Sequence, residues 1–205
     1  MLWVYILQGL GFGFAAAVQP GPFQTYLISE TLTKGWQRAL PVVLSPFISD
    51  GPIIALSLLV LSQLPNWLER ALYLVGGLFI LYLAWGAYRA WRAFDPGQST
   101  SATSNQTSML KGALMIVISP GPYIYWSLVT GPVLLRGWRE SPMFGLGFLA
   151  GFYSMLMIGL VSLVLVFGKA RELGPKMNRA LIGLSVIALT GFGLYQLWLA
   201  LNGTS

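Results

Sequence analysis

Asp50 is the one acidic residue near the centre of a long apolar run, and Pro46, Ser49, Gly51 and Pro52 surround it. Burial in an apolar medium penalises the ionised carboxylate, so such a group can alternate between neutral and charged forms near physiological pH. It can bind a proton, a substrate ammonium, or each in turn. The plainer alternative is an acid paired for structure with a helix end or a basic side chain. No Lys or Arg lies in the middle of any apolar run, which favours the functional reading.

A second constellation occurs twice. Gln19-Pro20-Gly21-Pro22 lies in the first apolar run and Ser119-Pro120-Gly121-Pro122 in the fourth. Each proline removes a backbone donor and the glycine between them adds a flexible joint, so a helix should break at both motifs. Inside a membrane the freed groups cannot face lipid; the break must be buried in protein or line a wet cavity. Proline suits the first position of a helix, so new half-helices are expected at Pro22 and Pro122. Their open amides would be those of Phe23, Gln24 and Thr25, and of Tyr123, Ile124 and Tyr125. A half-helix N-terminus with unpaired donors seats a carboxylate. Gln19 and Ser119 precede the breaks and are expected to cap the half-helices or touch the ligand. Proline kinks also serve packing alone, but two motifs at matched positions favour function. The candidate pathway is therefore Asp50, Gln19, Pro20, Gly21, Pro22, Gln24, Ser49, Ser119, Pro120, Gly121, Pro122 and Tyr123.

Other conspicuous residues read as structural. Glu30, beside Lys34 at the end of the first run, is expected to be a solvated interface residue. Gly9, Gly11, Gly13, Ala15, Ala16 and Ala17, with Gly147 and Gly151 at four-residue spacing, read as close helix contacts. The early glycines make no nucleotide loop, because no strand, lysine or acidic partner accompanies them.

The elements that must hold these residues follow from composition. Of 205 residues 56% are hydrophobic and 9% charged, against roughly a quarter charged in soluble domains. Apolar runs cover about 2–28, 39–64, 71–91, 109–135, 142–168 and 180–201. Each reaches the roughly 20 residues that cross about 30 Å of hydrocarbon. The expected fold is an all-α integral membrane protein of six transmembrane helices. The first charged side chain is Glu30, so the first run lacks the basic flank of a cleavable signal and reads as a retained helix.

Charge and missing residue types narrow the chemistry. With no Cys and no His there is no disulfide, no thiolate metal site and no imidazole relay, and no cofactor or metal is expected. The net charge of +6 does not indicate nucleic acid, because the basic residues sit in short loops between runs. Lys34, Arg38, Arg89, Arg92, Lys111, Lys169, Arg171, Lys176 and Arg179 fall on one side; Arg70, Arg136 and Arg139 fall on the other. That bias assigns the first set to the cytoplasm and both termini to the outside of a plasma (inner) membrane. Trp3, Trp36, Trp67, Trp91, Trp138 and Trp198 near run ends support the boundaries.

Residues 95–108 (DPGQSTSATSNQTS) divide the chain into 1–94 and 109–205 and read as a flexible cytoplasmic linker. The halves echo each other. Besides the two Pro-Gly-Pro motifs, Gly35-Trp36 answers Gly137-Trp138, Arg70-Ala71-Leu72 answers Arg179-Ala180-Leu181, and Leu81–Trp85 answers Leu194–Trp198. With three runs in each half, the second copy must lie upside down relative to the first, the inverted-repeat plan of many secondary transporters.

These residues resemble the LysE/RhtB family of lysine and homoserine/threonine exporters. Its carriers are Gln19-Pro20-Gly21-Pro22 followed by Gly35 and a basic loop, Asp50, the stretch Gly76–Gly86, and Gly174-Pro175-Lys176. The resemblance implies proton-driven export of amino acids or related metabolites, with Asp50 and the breaks near the pathway. The chain departs from the family in two places. Ser119-Pro120-Gly121 stands where the family often has Asn-Pro-Lys, and uncharged residues near Tyr153 and Ser154 stand where some members carry an acid. The expected partners are an amino-acid-like solute, protons and membrane lipids; self-assembly stays open. The rivals are a cation exporter on the same fold, a membrane scaffold without transport, and an intramembrane enzyme, for which no catalytic set of acids, His or metal ligands is present.

Overall fold

A computed structural model describes residues 1–19, 21–59, 66–93 and 105–202. Among them there is no strand, and the helices come in the order α1 (Leu2–Val18), α2 (Pro22–Lys34), α3 (Trp36–Ala39), α4 (Ser45–Leu59), α5 (Asn66–Arg92), α6 (Asn105–Val117), α7 (Pro120–Ile124), α8 (Gly131–Glu140), α9 (Pro142–Glu172) and α10 (Pro175–Asn202). Two irregular turns join the series: a 3₁₀ turn at Leu40–Leu44 and a π segment at Tyr125–Thr130.

Both have a local cause. Pro41 and Pro46 lack amide protons, and the Ser45 amide bonds the Val42 carbonyl, tightening the turn between α3 and α4. Pro132 cannot donate back into the preceding turn, and the Thr130 hydroxyl bonds the Tyr125 carbonyl five residues earlier at 3.1 Å. Pro52, by contrast, is carried inside α4 without ending it.

Trp36–Ser57, Tyr73–Arg92, Pro142–Glu172 and Pro175–Asn202 are each long and apolar enough to cross a membrane. Two bent pairs pass the same test when joined: α1 with α2, at 64°, and Thr107–Val117 with Pro120–Glu140, at 57°. Counting each pair as one span gives six. Trp3, Leu78, Leu128 and Ile187 are exposed on the outer surface, a distribution suited to hydrocarbon.

α1 lies along α9. Leu2 meets Gly147, Ile6 meets Gly151 and Ala17 meets Gly159, so the contacts advance together and the two helices run parallel. Gly9 and Gly13 let the α1 backbone touch the backbone of Phe148 and Phe152, and Gly151 does the same for Ile6; a Cβ at any of the three would overlap main-chain atoms. Gly11 faces open space. α5 and α10 pair in the opposite sense, with Gly76 against Gln196, Gly77 against Gly193, and Trp91 against Gly183.

Two expectations need correction. The polar segment 95–108 does not remain irregular to its end, because α6 begins at Asn105. Ser108 is buried there, its carbonyl accepting from the Tyr26 hydroxyl at 3.1 Å and its hydroxyl from Lys34 Nζ at 2.8 Å. Residues 95–104 lie outside the described residues. Glu30 is not solvated: its side chain is 13% exposed and pairs with Lys34 Nζ at 2.7 Å. The bond to Ser108 holds that lysine in place.

Candidate functional site

Asp50 sits in α4, one turn after Ser45 begins the helix, and its side chain is buried. A buried carboxylate needs partners. The Tyr153 hydroxyl of α9 donates to Asp50 Oδ2 at 3.1 Å. The Ser49 hydroxyl lies 3.4 Å from Oδ1 but is nearer the Ser45 carbonyl, at 3.1 Å, and has one proton to give. Tyr153 is therefore the firmer partner. Its ring is fixed by Phe47, stacked at 4.9 Å, and by Phe152, edge-on at 5.3 Å.

Phe152 also stands 6.5 Å from Tyr125 and 5.1 Å from Trp126 of the π segment. The Tyr125 hydroxyl reaches the Phe12 carbonyl of α1 at 2.9 Å. Two tyrosines from the second half of the chain thus reach into the first, one to Asp50 and one to α1. Neither was among the expected pathway residues. Tyr153 was identified only as an uncharged position; the sole signal available for either is that a tyrosine within an apolar run must find a hydrogen-bond partner.

At the first break Pro20 lies outside the described residues. α1 ends with Gln19 in an extended conformation, its amide bonded to the Ala15 carbonyl at 3.0 Å. Pro22 opens α2 and Gly21 occupies the cap position. The Thr25 amide already bonds the Gly21 carbonyl at 3.0 Å, so the amides open at this helix start are those of Phe23 and Gln24, not Thr25. Gln24 turns back, and its Nε2 donates to the Ala16 carbonyl at 2.9 Å.

The second break differs from expectation in register. The helix restarts at Pro120, with Ser119 extended ahead of it, rather than at Pro122. A first turn has no intrahelical acceptor for its amides, so prolines at the first and third positions both fit. Pro120 and Pro122 have no amide proton, so the open first-turn donor here is the amide of Gly121; that of Tyr125 bonds Gly121 and Pro122 carbonyls. Ser119 holds the cap position without capping: its hydroxyl donates back to the Met115 carbonyl at 2.6 Å. The expected side-chain caps at Gln19 and Ser119 are not made. Ahead of the break, the Tyr123 hydroxyl satisfies the Val117 carbonyl at 2.8 Å and the Ser119 amide bonds the Ile116 carbonyl at 3.2 Å. One side chain from each restarted helix, Gln24 or Tyr123, thus donates to a carbonyl left over by the interruption.

α4 packs against α7 and the π segment, which brings the Asp50 helix to the second break. The first break packs on α9 through Ala17 and Gly159. Among the described residues no three His, Cys, Asp or Glu side chains come together as a metal site.

The family model described as LysE type translocator matches residues 14–200. The chain belongs to this family. The likeness drawn from scattered motifs therefore extends over nearly the whole sequence, and a translocator with four to six apolar spans is a multi-pass membrane protein. Members of the LysE type translocator family are transporters, and a translocator binds small-molecule substrates. Neither a curated protein nor a solved structure gives a significant match.

Proposed function

We propose that this translocator exports amino acids or related small zwitterionic metabolites in exchange for protons, and that Asp50 carries the proton. The observation that bears most weight is the buried contact of Asp50 with the Tyr153 hydroxyl, beside the helix restart at Pro120. A phenol hydroxyl both donates and accepts, so Tyr153 can serve the carboxylate and the protonated acid alike. The cargo carboxylate binds the open amides of Phe23 and Gln24, or that of Gly121, and the cargo ammonium faces Asp50. A proton from outside neutralises Asp50, releases the ammonium and resets the carrier.

The two halves work as inverted repeats of three spans. The parallel course of α1 and α9 and the antiparallel course of α5 and α10 suit six crossings with an odd number in each half. Alternating access is then a rocking of one half on the other about the interrupted helices. The chain lies in the inner membrane with both termini outside.

Counterflow in proteoliposomes tests the reading: vesicles loaded with unlabelled amino acids should accumulate labelled amino acid transiently, and Gly21→Leu and Gly121→Leu should reduce this by tenfold or more. Absence of counterflow with every amino acid, alongside counterflow of a divalent cation, would replace this cargo with the ionic one.

A further inference from the structure

A cavity of about 460 Å³ opens at the end of the molecule where the basic loops gather, within the roughly 300–1,000 Å³ range of small-molecule sites. Two glycines build it. Gly35 ends α2 at φ 88°, a conformation open to glycine, and a Cβ there would stand 2.5 Å from Arg171 Nη1. Gly168 leaves room for Trp36, whose Cβ would lie 2.8 Å from a Cβ added at that position. The turn between α2 and α3 therefore lies flat on the last turns of α9, and the Arg171 guanidinium rests over Gly35.

The charge in this cavity is unequally matched. Lys34 lines it but is committed to Glu30 and Ser108. Arg38 and Arg171 also line it, with Glu172 beside them, and neither arginine forms an ion pair among the described residues. The depth is set by α9, whose 31 residues at about 1.5 Å each span about 46 Å, beyond the roughly 30 Å of hydrocarbon. A helix of that length reaches past the hydrocarbon, and its basic last turn with Lys169 and Arg171, together with the aromatic Trp36 packed on it, suits the headgroup layer.

We propose that this cavity binds a phosphate-bearing anion through Arg38 and Arg171. Their planar guanidinium groups match phosphate with paired hydrogen bonds, and they stand in the layer where phosphate is most concentrated. The phosphate comes from a phospholipid headgroup or from a soluble phosphate; Glu172 opposes it in either case.

The test uses the purified full chain in neutral detergent, titrated with phosphatidylglycerol, phosphatidylcholine or inorganic phosphate. Thermal unfolding and native mass spectrometry of retained ligand are the readouts. Phosphatidylglycerol should raise the unfolding midpoint more than phosphatidylcholine, and Arg38→Gln with Arg171→Gln should weaken retention by about tenfold or more. Arg136→Gln, at the other end of the molecule, should leave it unchanged, and Glu172→Gln should strengthen it. A response to the anionic lipid alone assigns a headgroup site; an equal arginine-dependent response to inorganic phosphate assigns a soluble ligand. Loss of anion preference in the wild type, or an undiminished response in the double variant, overturns the proposal. If the double variant does not fold, unchanged or weaker retention by Glu172→Gln does so.

Discussion

At the scale of residues, the contact between Tyr153 and Asp50 joins side chains 103 positions apart. Removing the hydroxyl with Tyr153→Phe leaves the ring packing intact and deprives a buried acid of its firmer partner. A hydrogen bond to a charged group contributes about 1.5–3 kcal/mol, so proton-coupled efflux should fall roughly tenfold or more. In an Asp50→Asn background the same substitution should have little further effect, because the two act as one unit; additive losses in that double-mutant cycle would separate them. Asp50 was legible in the sequence because a lone acid in an apolar run stands out. Tyr153 was not, since its partner is fixed by the packing of α9 on α4 and leaves no local pattern.

Helix packing makes its own predictions. Gly9, Gly11 and Gly13 look alike in sequence, yet only the first and third touch the α9 backbone. Gly9→Leu or Gly13→Leu should destabilise the protein by about 1–3 kcal/mol or prevent folding, while Gly11→Leu should be tolerated. Thermal unfolding in detergent distinguishes the three. Similarly, Gly35→Ala forces a left-handed φ on a side chain and should cost about 1 kcal/mol or more. Hydropathy revealed the apolar runs; near the doubled motif, α1 ends at Val18 and α2 opens at Pro22, and α6 ends at Val117 and α7 opens at Pro120. The restart at Pro120 was not legible, because Pro120 and Pro122 satisfy the same rule for a helix start and only the extended backbone of Ser119 decides between them.

For the whole molecule, the proposed topology places the C-terminus and residues 95–108 on opposite sides of the membrane, which reporter fusions at the two positions should register as opposite signals. The charge bias that assigns those sides is sequence information; the bends of 64° and 57° and the parallel course of α1 and α9 are tertiary and became visible only in the folded chain. In the proposed mechanism, proton coupling through Asp50 is what unites the halves. The most direct measurement is efflux of a labelled amino acid from proteoliposomes, with and without an opposing proton gradient, for the wild type and Asp50→Asn. The gradient should accelerate wild-type efflux and leave the variant, still inserted and folded, unresponsive. Gradient-driven efflux preserved in Asp50→Asn would contradict the account.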